Sequence, residues 1–392
     1  MQSVIGIDIS KKKMNYCVVT DAGEILEEGN IENNLTGFGK LLPLMLVKYT
    51  TVIFEATGVY SRRFQYFLDQ NQISYIRMNP LLAKKEMDSL RVTKNDVIDA
   101  KRLAELQLRK KYQPVESEEK VYTELRHQHR FYQDITTDGA KAKNRLHKSL
   151  QDTFSEIEHL FIGTNEMLYR VVEKFPHAKL VTEKTEQEII EELLPLYSGS
   201  LSRAQTVAKR LKELAKKTAV SVPLDSKLTE QTIYWAKTVQ YFNELKKQTI
   251  DSMFVTARGI EEVEILESIP GIGRTHAIGL IAELGDIRRF STPQKLNAFI
   301  GIDLRFNDSG QIKSSGYITK RGNSVARKIM YTIVVNVIAS SGKGESNALS
   351  DWYRRRAQNV SGSKKKIIIG LMDRLLRVIH HLVLHNEKFS NE

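Results

Sequence analysis

Apolar residues fall along this chain in two rhythms. Near the start they run together. In Ser3-Val4-Ile5-Gly6-Ile7-Asp8-Ile9-Ser10, the residues Val4, Ile5, Ile7 and Ile9 are β-branched and apolar, the composition of a strand covered on both faces. Met14 to Asp21 predicts a second strand, Asp21-Ala22-Gly23-Glu24 a hairpin turn, and the segment from Glu24 to about Glu32 a third strand returning beside it. Phe38, Leu41, Leu42, Met45 and Leu46 have helical spacing and predict a helix from about Thr36 to Tyr49, with a late start or a kink at Pro43. Thr51-Val52-Ile53-Phe54-Glu55 is another apolar strand, followed by a helix from about Val59 to Asn71 and a strand from Ser74 to Met78. Asn79-Pro80 ends that strand, and Pro80 suits the first turn of a further helix. Antiparallel-looking strands followed by βαβ units predict one mixed sheet with helices on its faces.

The rhythm then changes. From about Glu116 to Met253 the chain reads as long, polar helices. Leu146, Leu150, Thr153, Ile157 and Leu160 follow 4-3-4-3 spacing, Ala204, Val207, Leu211 and Leu214 follow 3-4-3, and Trp235, Val239 and Phe242 repeat the pattern. These are seams of a coiled coil or an antiparallel bundle, broken at Pro176, Ser198-Gly199-Ser200 and Val222-Pro223. His127 and His129, two apart on a helix, face different ways and read as surface or partner contacts rather than metal ligands. In the last third, Leu266-Glu267-Ser268-Ile269-Pro270-Gly271-Ile272-Gly273 precedes a helix carrying Ala277, Leu280 and Ile281. Two readings fit: a helix-hairpin-helix turn whose amides approach a phosphate, or a plain tight turn between helices.

Length and charge narrow the field. A chain of 392 residues exceeds one ordinary core and predicts two or three domains. With 41% hydrophobic and 27% charged residues it is globular rather than disordered. The formal net charge of +12 favours a polyanionic partner, of which nucleic acid is the commonest. The single cysteine, Cys17, allows no internal disulfide and no cysteine-based zinc site. There is no signal-peptide pattern and no apolar run long enough to span a membrane, so a cytoplasmic location is expected. Positive charge gathers toward the C-terminus, at Lys320, Arg321, Arg327 and Lys328 and in the runs 354–356 and 364–366. The first four, with Gly271 and Gly273, are the candidate nucleic-acid contacts.

Four carboxylates carry the candidate chemistry. Asp8 interrupts an apolar strand, Glu55 ends another, and Asp96 and Asp99 share one face at a helix start. Each has a plain structural reading. A strand Asp can be satisfied by local backbone, and acidic residues in a first helical turn offset the helix dipole. Together, at one sheet edge, they would suit magnesium, which prefers carboxylate oxygen. A pair of such ions can clamp a phosphodiester on both its attacking and its leaving oxygens.

The segments Ile5-Gly6-Ile7-Asp8-Ile9-Ser10, Phe54-Glu55-Ala56-Thr57-Gly58 and Lys94-Asn95-Asp96-Val97-Ile98-Asp99-Ala100, with Arg102-Leu103-Ala104 after them, closely resemble the DEDD transposases of bacterial insertion sequences, the bridge-RNA-guided recombinases. The C-terminal match runs from Ser268-Ile269-Pro270-Gly271-Ile272-Gly273 through Asp308-Ser309-Gly310 to Gly322-Asn323. The resemblance implies an α/β RuvC-like domain of the RNase H fold over 1–112. A helical coiled-coil dimerisation region over 113–258 and a mostly α-helical transposase domain over 259–392 would follow. It also implies that Asp8, Glu55, Asp96 and Asp99 bind Mg2+, and that a serine matching Ser309 attacks DNA to give a phosphoserine link, with Ser314 and Ser315 as nearby alternatives. DNA ends and a structured guide RNA would be the partners, and the protein would act as a homodimer or homotetramer. Acidic domain and serine meet between subunits in that family. The chain departs from its compact members in a longer helical stretch, from about 150 to 225.

Three other readings compete. A Gly-Ile-Asp strand also opens sugar kinases and actin-like ATPases, and Gly301-Ile302-Asp303 repeats the triplet. However, Leu304-Arg305-Phe306-Asn307-Asp308 makes a poor second phosphate strand, and no adenosine loop follows. A non-catalytic binding protein would be marked by loss of a carboxylate, and all four are present. A RuvC-like metal-dependent nuclease that cuts without a covalent intermediate is the nearest rival.

Overall fold

β1 (Ser3–Ile9) is the centre of a five-stranded sheet ordered β3-β2-β1-β4-β5. β2 (Lys13–Thr20) and β3 (Ile25–Glu32) continue from it as an antiparallel meander, while β4 (Thr50–Glu55) and β5 (Tyr75–Met78) add in parallel on the other side. This is the mixed sheet the strand pattern predicts. In β1 every residue except Asp8 is buried, because both faces are covered. Ile5, Ile7 and Ile9, with Val52 and Phe54, pack on α1 (Leu35–Met45) and α2 (Arg62–Gln70) through Phe38, Leu41, Phe64 and Leu68. Val4, Ile53, Ile76 and Met78 form the opposite face, covered by α3 (Pro80–Met87) and α4 (Asp96–Lys110) through Ala83, Ala100, Leu103 and Ala104.

The structure, a computed structural model, describes residues 2–87, 96–114, 119–163, 166–305, 308–309, 312–313, 317–340, 347–358, 360–361 and 363–390. It divides into two units, Met1–Ser117 and Glu118–Glu392. In the first, two helices are shorter than the periodicity predicts. α1 ends at Met45 rather than Tyr49, two residues after Pro43, which cannot donate back into the helix. α2 starts at Arg62 rather than Val59, because a turn closed by Tyr60 N donating to Thr57 O (3.2 Å) fills the interval.

The second unit rises on two long helices, α5 (Lys120–Thr153) and, further along, α10 (Lys227–Thr256). Gln128 contacts Thr256, Gly139 lies against Phe242, and Thr153 contacts Thr232, so the two run antiparallel. Between them come α6 (Met167–Lys174), α7 (Ala178–Thr182), α8 (Glu186–Leu193) and α9 (Leu201–Lys217). With the far ends of α5 and α10 these enclose a core around Phe154, Phe175, Leu193 and Leu211.

The 4-3-4-3 seam is corrected here. Leu146, Leu150 and Thr153 lie on α5, but Ile157 lies in a 3-10 turn (Ser155–His159) and Leu160 follows it. Phe154, fully buried, leaves the helix with φ −163° and turns the chain into the core. The spacing therefore marks one core reached by two elements, not one continuous helical stripe.

The remaining chain packs α11 (Glu261–Glu267), α12 (Arg274–Leu284), α13 (Pro293–Ile300), α14 (Ser324–Ser340), α15 (Ala348–Ala357) and α16 (Lys365–His385) about a third core, which also takes Tyr122, Leu125 and Met253 from the near ends of the long helices. Two small ladders interrupt the helices. β6 (Leu304–Arg305) pairs with β9 (Tyr317–Ile318), and within that stem β7 (Asp308–Ser309) pairs with β8 (Ile312–Lys313). His129 corrects the expectation of a surface histidine: it is 3% exposed, with its ring against Gly279 of α12, whereas His127 is exposed. Burial lowers the His129 imidazole to about 4, so it is neutral at pH 7.

Every residue of α12 from Ala277 to Leu284 is buried, and one of them is Glu283. Arg130 of α5 meets its carboxylate with two parallel bonds of 2.9 Å each, and Asn323 Nδ2 donates a third of 2.7 Å. Burial pushes this carboxyl up, but Arg130, Asn323 and the charge of Arg126 outweigh it and hold the group below the usual glutamate range. Glu283→Ala removes the charged acceptor that Arg130 and Asn323 share, and should lower stability by about 2 kcal/mol. Because the folded-state value is depressed, this contribution is present above the unfolded glutamate value near about 4.3 and fades as pH falls through the folded one. Urea unfolding from pH 7 to 3 should show that fading in wild type and its absence in Glu283→Gln. A Glu283→Ala protein as stable as wild type at pH 7 would contradict the assignment.

Candidate active site and nucleic-acid contacts

Strand alternation decides which side chains of β1 and β4 share a face. Gly6 faces α4: a Cβ there would collide with the Ala100 carbonyl oxygen and lie 2.7 Å from the Ala104 nitrogen. Only glycine in the strand, met by two alanines one helical turn apart, lets α4 lie this close. Asp8 is two residues beyond Gly6 and therefore on the α4 face. β4 runs parallel to β1 with Ile7 opposite Phe54, so Glu55 is the next residue in register beside Asp8, two beyond the α4-facing Ile53. Asp99 directly precedes Ala100 on the helix. Asp8, Glu55 and the first turn of α4 thus come to one edge of the sheet.

The electrostatics of that edge are those of crowded anions. Burial pushes the Glu55 carboxyl up, and the negative charge of Asp99 pushes it further the same way. Asp99 also makes a 3.6 Å ion pair with Arg102, one turn along the helix. Asp96 opens α4, while its side chain lies outside the described residues. Among the described residues, no group of three or more His, Cys, Asp or Glu side chains is arranged to hold a metal ion. The donor chemistry nevertheless fits one kind of ion. All donors are carboxylate oxygens, and the half-buried Glu55 is destabilised as an anion by its surroundings, which a hard divalent cation would reverse.

Ser309 is the second residue of β7, paired with Ile312 beside the hairpin tip. Its side chain, and Ser314 and Ser315 altogether, lie outside the described residues. The stem that carries it is well anchored. Thr319 N donates to Asp303 O (3.0 Å), Lys320 N to Gly301 O (3.1 Å) and Asn323 N to Phe299 O (2.7 Å). Asn323 in turn caps α14 by accepting from the amides of Val325 and Ala326, and its other side-chain atom donates to Glu283.

The candidate nucleic-acid contacts separate into three kinds. Lys320 and Arg321 are exposed just after the stem, and Lys328 is exposed on α14. Arg327 is half-buried, and one of its guanidinium nitrogens donates to Ile300 O (2.7 Å). Gly271, at φ +91°, is held against α14, where a Cβ would lie 2.6 Å from Val337 Cα, so packing alone accounts for the glycine. Gly273 has open space around it and stands at the start of α12. Sequence reasoning missed the Arg130–Glu283–Asn323 link, whose partners are 153 and 40 residues apart. It also gave Gly6 no role, although a glycine in an apolar strand and alanines four apart were legible signals. No helix among the described residues is long and apolar enough to cross a membrane.

Comparison with known proteins matches both ends of the chain. A transposase profile of the DEDD class of IS110 elements matches residues 5–155, and the profile of the IS116/IS110/IS902 transposases matches residues 263–349. The chain is 24% identical over 333 residues to the transposase for insertion sequence element IS1111A of Coxiella burnetii, covering 83% of this chain and 75% of that protein. It is 23% identical over 398 residues to the pilin gene-inverting protein of Moraxella bovis, covering 99% and 98%. A probable family 20 transposase of Pseudomonas aeruginosa is 30% identical over 106 residues, covering 26% of this chain and 31% of that protein.

Proposed function

The chain belongs to the IS110-type DEDD transposases, enzymes that recombine DNA, and from that premise we propose that it cuts and rejoins strands under RNA guidance, with Mg2+ on Asp8, Glu55, Asp96 and Asp99 and with Ser309 as nucleophile. The observation that carries the metal half is the meeting of Asp8, Glu55 and the Asp99 turn at one sheet edge, with Glu55 pushed up by burial and by Asp99. A relative named for inverting a pilin gene supports the covalent half. Inversion rejoins every strand it breaks, and a phosphoserine link conserves the phosphodiester bond energy until rejoining.

In this reading the Ser309 hydroxyl attacks phosphorus, a new P–O bond forms to the serine, and the bond to one deoxyribose oxygen breaks. The serine proton leaves to a carboxylate or water, and the departing sugar oxygen takes a proton. Magnesium held by Asp8, Glu55, Asp96 and Asp99 would supply positive charge to the phosphate and ease deprotonation of the serine. The long helices α5 and α10 supply the dimerisation region, and the guide RNA is held by the basic surface, with a second copy of the chain completing the assembly.

Reconstitution tests the whole reading. Purified protein, Mg2+, DNA carrying the ends of the element and a structured RNA transcribed from beside the gene should give strand exchange. RNA affinity should fall steeply with salt, as many phosphate contacts require. If a random RNA of equal length supports exchange as well, the guidance reading fails.

A further inference from the structure

The second unit carries two clefts that both reach the start of α14, and they differ in charge. One, of about 610 Å³, is lined by Arg130, Gln133, Asp134 and the residues 322–325. Its one cation is already neutralised by Glu283, and Asp134 adds a negative charge, so it offers little to a phosphate.

The other, of about 450 Å³, is lined by Ile318, Tyr331, Ile369 and Met372, by Ser324 and Thr332, and by the cations Arg327 and Lys328, with no acidic residue among its lining. Lys328, Tyr331 and Val335 recur at helical spacing on α14, and Tyr331 and Val335 are each 40% exposed, so this face of α14 presents a ring and an aliphatic side chain to solvent beside a cation. An apolar slot with an exposed tyrosine and a positive edge matches one chemistry well: an unstacked nucleobase against the ring, with its own phosphate on the cation. Duplex nucleic acid would meet the cations but present no base face to the ring.

We propose that this cleft holds an unstacked base of single-stranded DNA, the strand next to the cleaved phosphodiester. The choice of DNA rests on the reading of Ser309 as nucleophile, because Ile318 belongs to β9, the strand that closes the serine stem. The cleft and the serine hairpin thus share one stem, which is the ground for placing the cut strand's neighbouring nucleotides here. Tyr331 is then a binding residue for the strand and takes no part in breaking the bond.

The test uses the full-length protein and fluorescence anisotropy with a labelled single-stranded oligo(dT) of about 20 nucleotides, its duplex with oligo(dA), and oligo(rU) of the same length. Tyr331→Ala should weaken single-stranded DNA binding about tenfold, as the loss of one stacked base does, and change duplex binding by less than about twofold. Tyr331→Phe keeps the ring and should bind as wild type, whereas Tyr331→Leu keeps apolar bulk without the ring and should behave as Tyr331→Ala. Unchanged single-strand affinity in Tyr331→Ala overturns the proposal, as does equal loss on single strand and duplex. A Tyr331 dependence confined to oligo(rU) overturns the assignment to DNA. Ser309→Ala separates this from the nucleophile reading. It should bind oligo(dT) as wild type, so a protein that never forms a covalent adduct yet shows the Tyr331 effect keeps the cleft and loses the serine.

Discussion

Ser309→Ala should yield no covalent protein–DNA adduct and no strand exchange, a loss of about 10⁴-fold or more, as expected when a covalent nucleophile is removed. Binding should survive, because one hydroxyl contributes little to a large interface dominated by phosphate contacts. Ser309 lies in a two-residue ladder, opposite Ile312. The measurement is a denaturing gel of labelled DNA incubated with guide RNA and Mg2+, with and without protease. Wild type should give a protease-sensitive shifted band. Ser309→Cys should keep at most a trace, since a thiolate is nucleophilic but differs in size and metal preference. If the adduct persists in Ser309→Ala and vanishes in Ser314→Ala or Ser315→Ala, the mechanism stands and the nucleophile moves. Cutting without an adduct in any variant identifies a metal-dependent nuclease.

The second large effect is expected at the sheet edge. Single changes of Asp8, Glu55, Asp96 or Asp99 to Ala should each reduce recombination by about 10³-fold or more, because electrostatic help at a transferring phosphate is lost. The fold should persist. Glu55 is already disfavoured as an anion by burial and by Asp99, so Asp99→Ala should leave the metal-free protein at least as stable as wild type. Two measurements are therefore needed, recombination and thermal melting with and without Mg2+. Wild type should gain melting temperature with Mg2+, and Asp8→Ala and Asp99→Ala should gain much less. Near wild-type recombination in Asp8→Ala would end the shared-metal idea.

How much of this was legible in the sequence depends on the range of the interactions. The sheet was legible because β1 and β4 are short apolar runs whose period belongs to the residues themselves, and the carboxylates at Asp8 and Glu55 stood out against them. Their closeness needed one further fact, the parallel register of Ile7 with Phe54, which no local pattern encodes. The seams on α9 and α10 were legible as elements, but the first was legible only as apolar spacing, because spacing alone cannot reveal that Phe154 turns the chain between Thr153 and Ile157. His129 read as exposed because its burial is imposed by Gly279, far along the chain. Glu283 was silent for the same reason: a single glutamate in an apolar helix acquires meaning only from Arg130 and Asn323.

The paired helices α5 and α10 have a mechanical consequence. At 34 residues, α5 is about 50 Å long, and the near ends of the pair are set in one core while their far ends are set in another. Between the two anchorages the pair is a strut, stiff along its axis because its length is fixed by backbone hydrogen bonds. The far core is therefore held at a set distance from the near one. A small tilt at the near end becomes a much larger sweep at the far end. The second unit is therefore built like a caliper, with a span written in helical turns rather than in loop length.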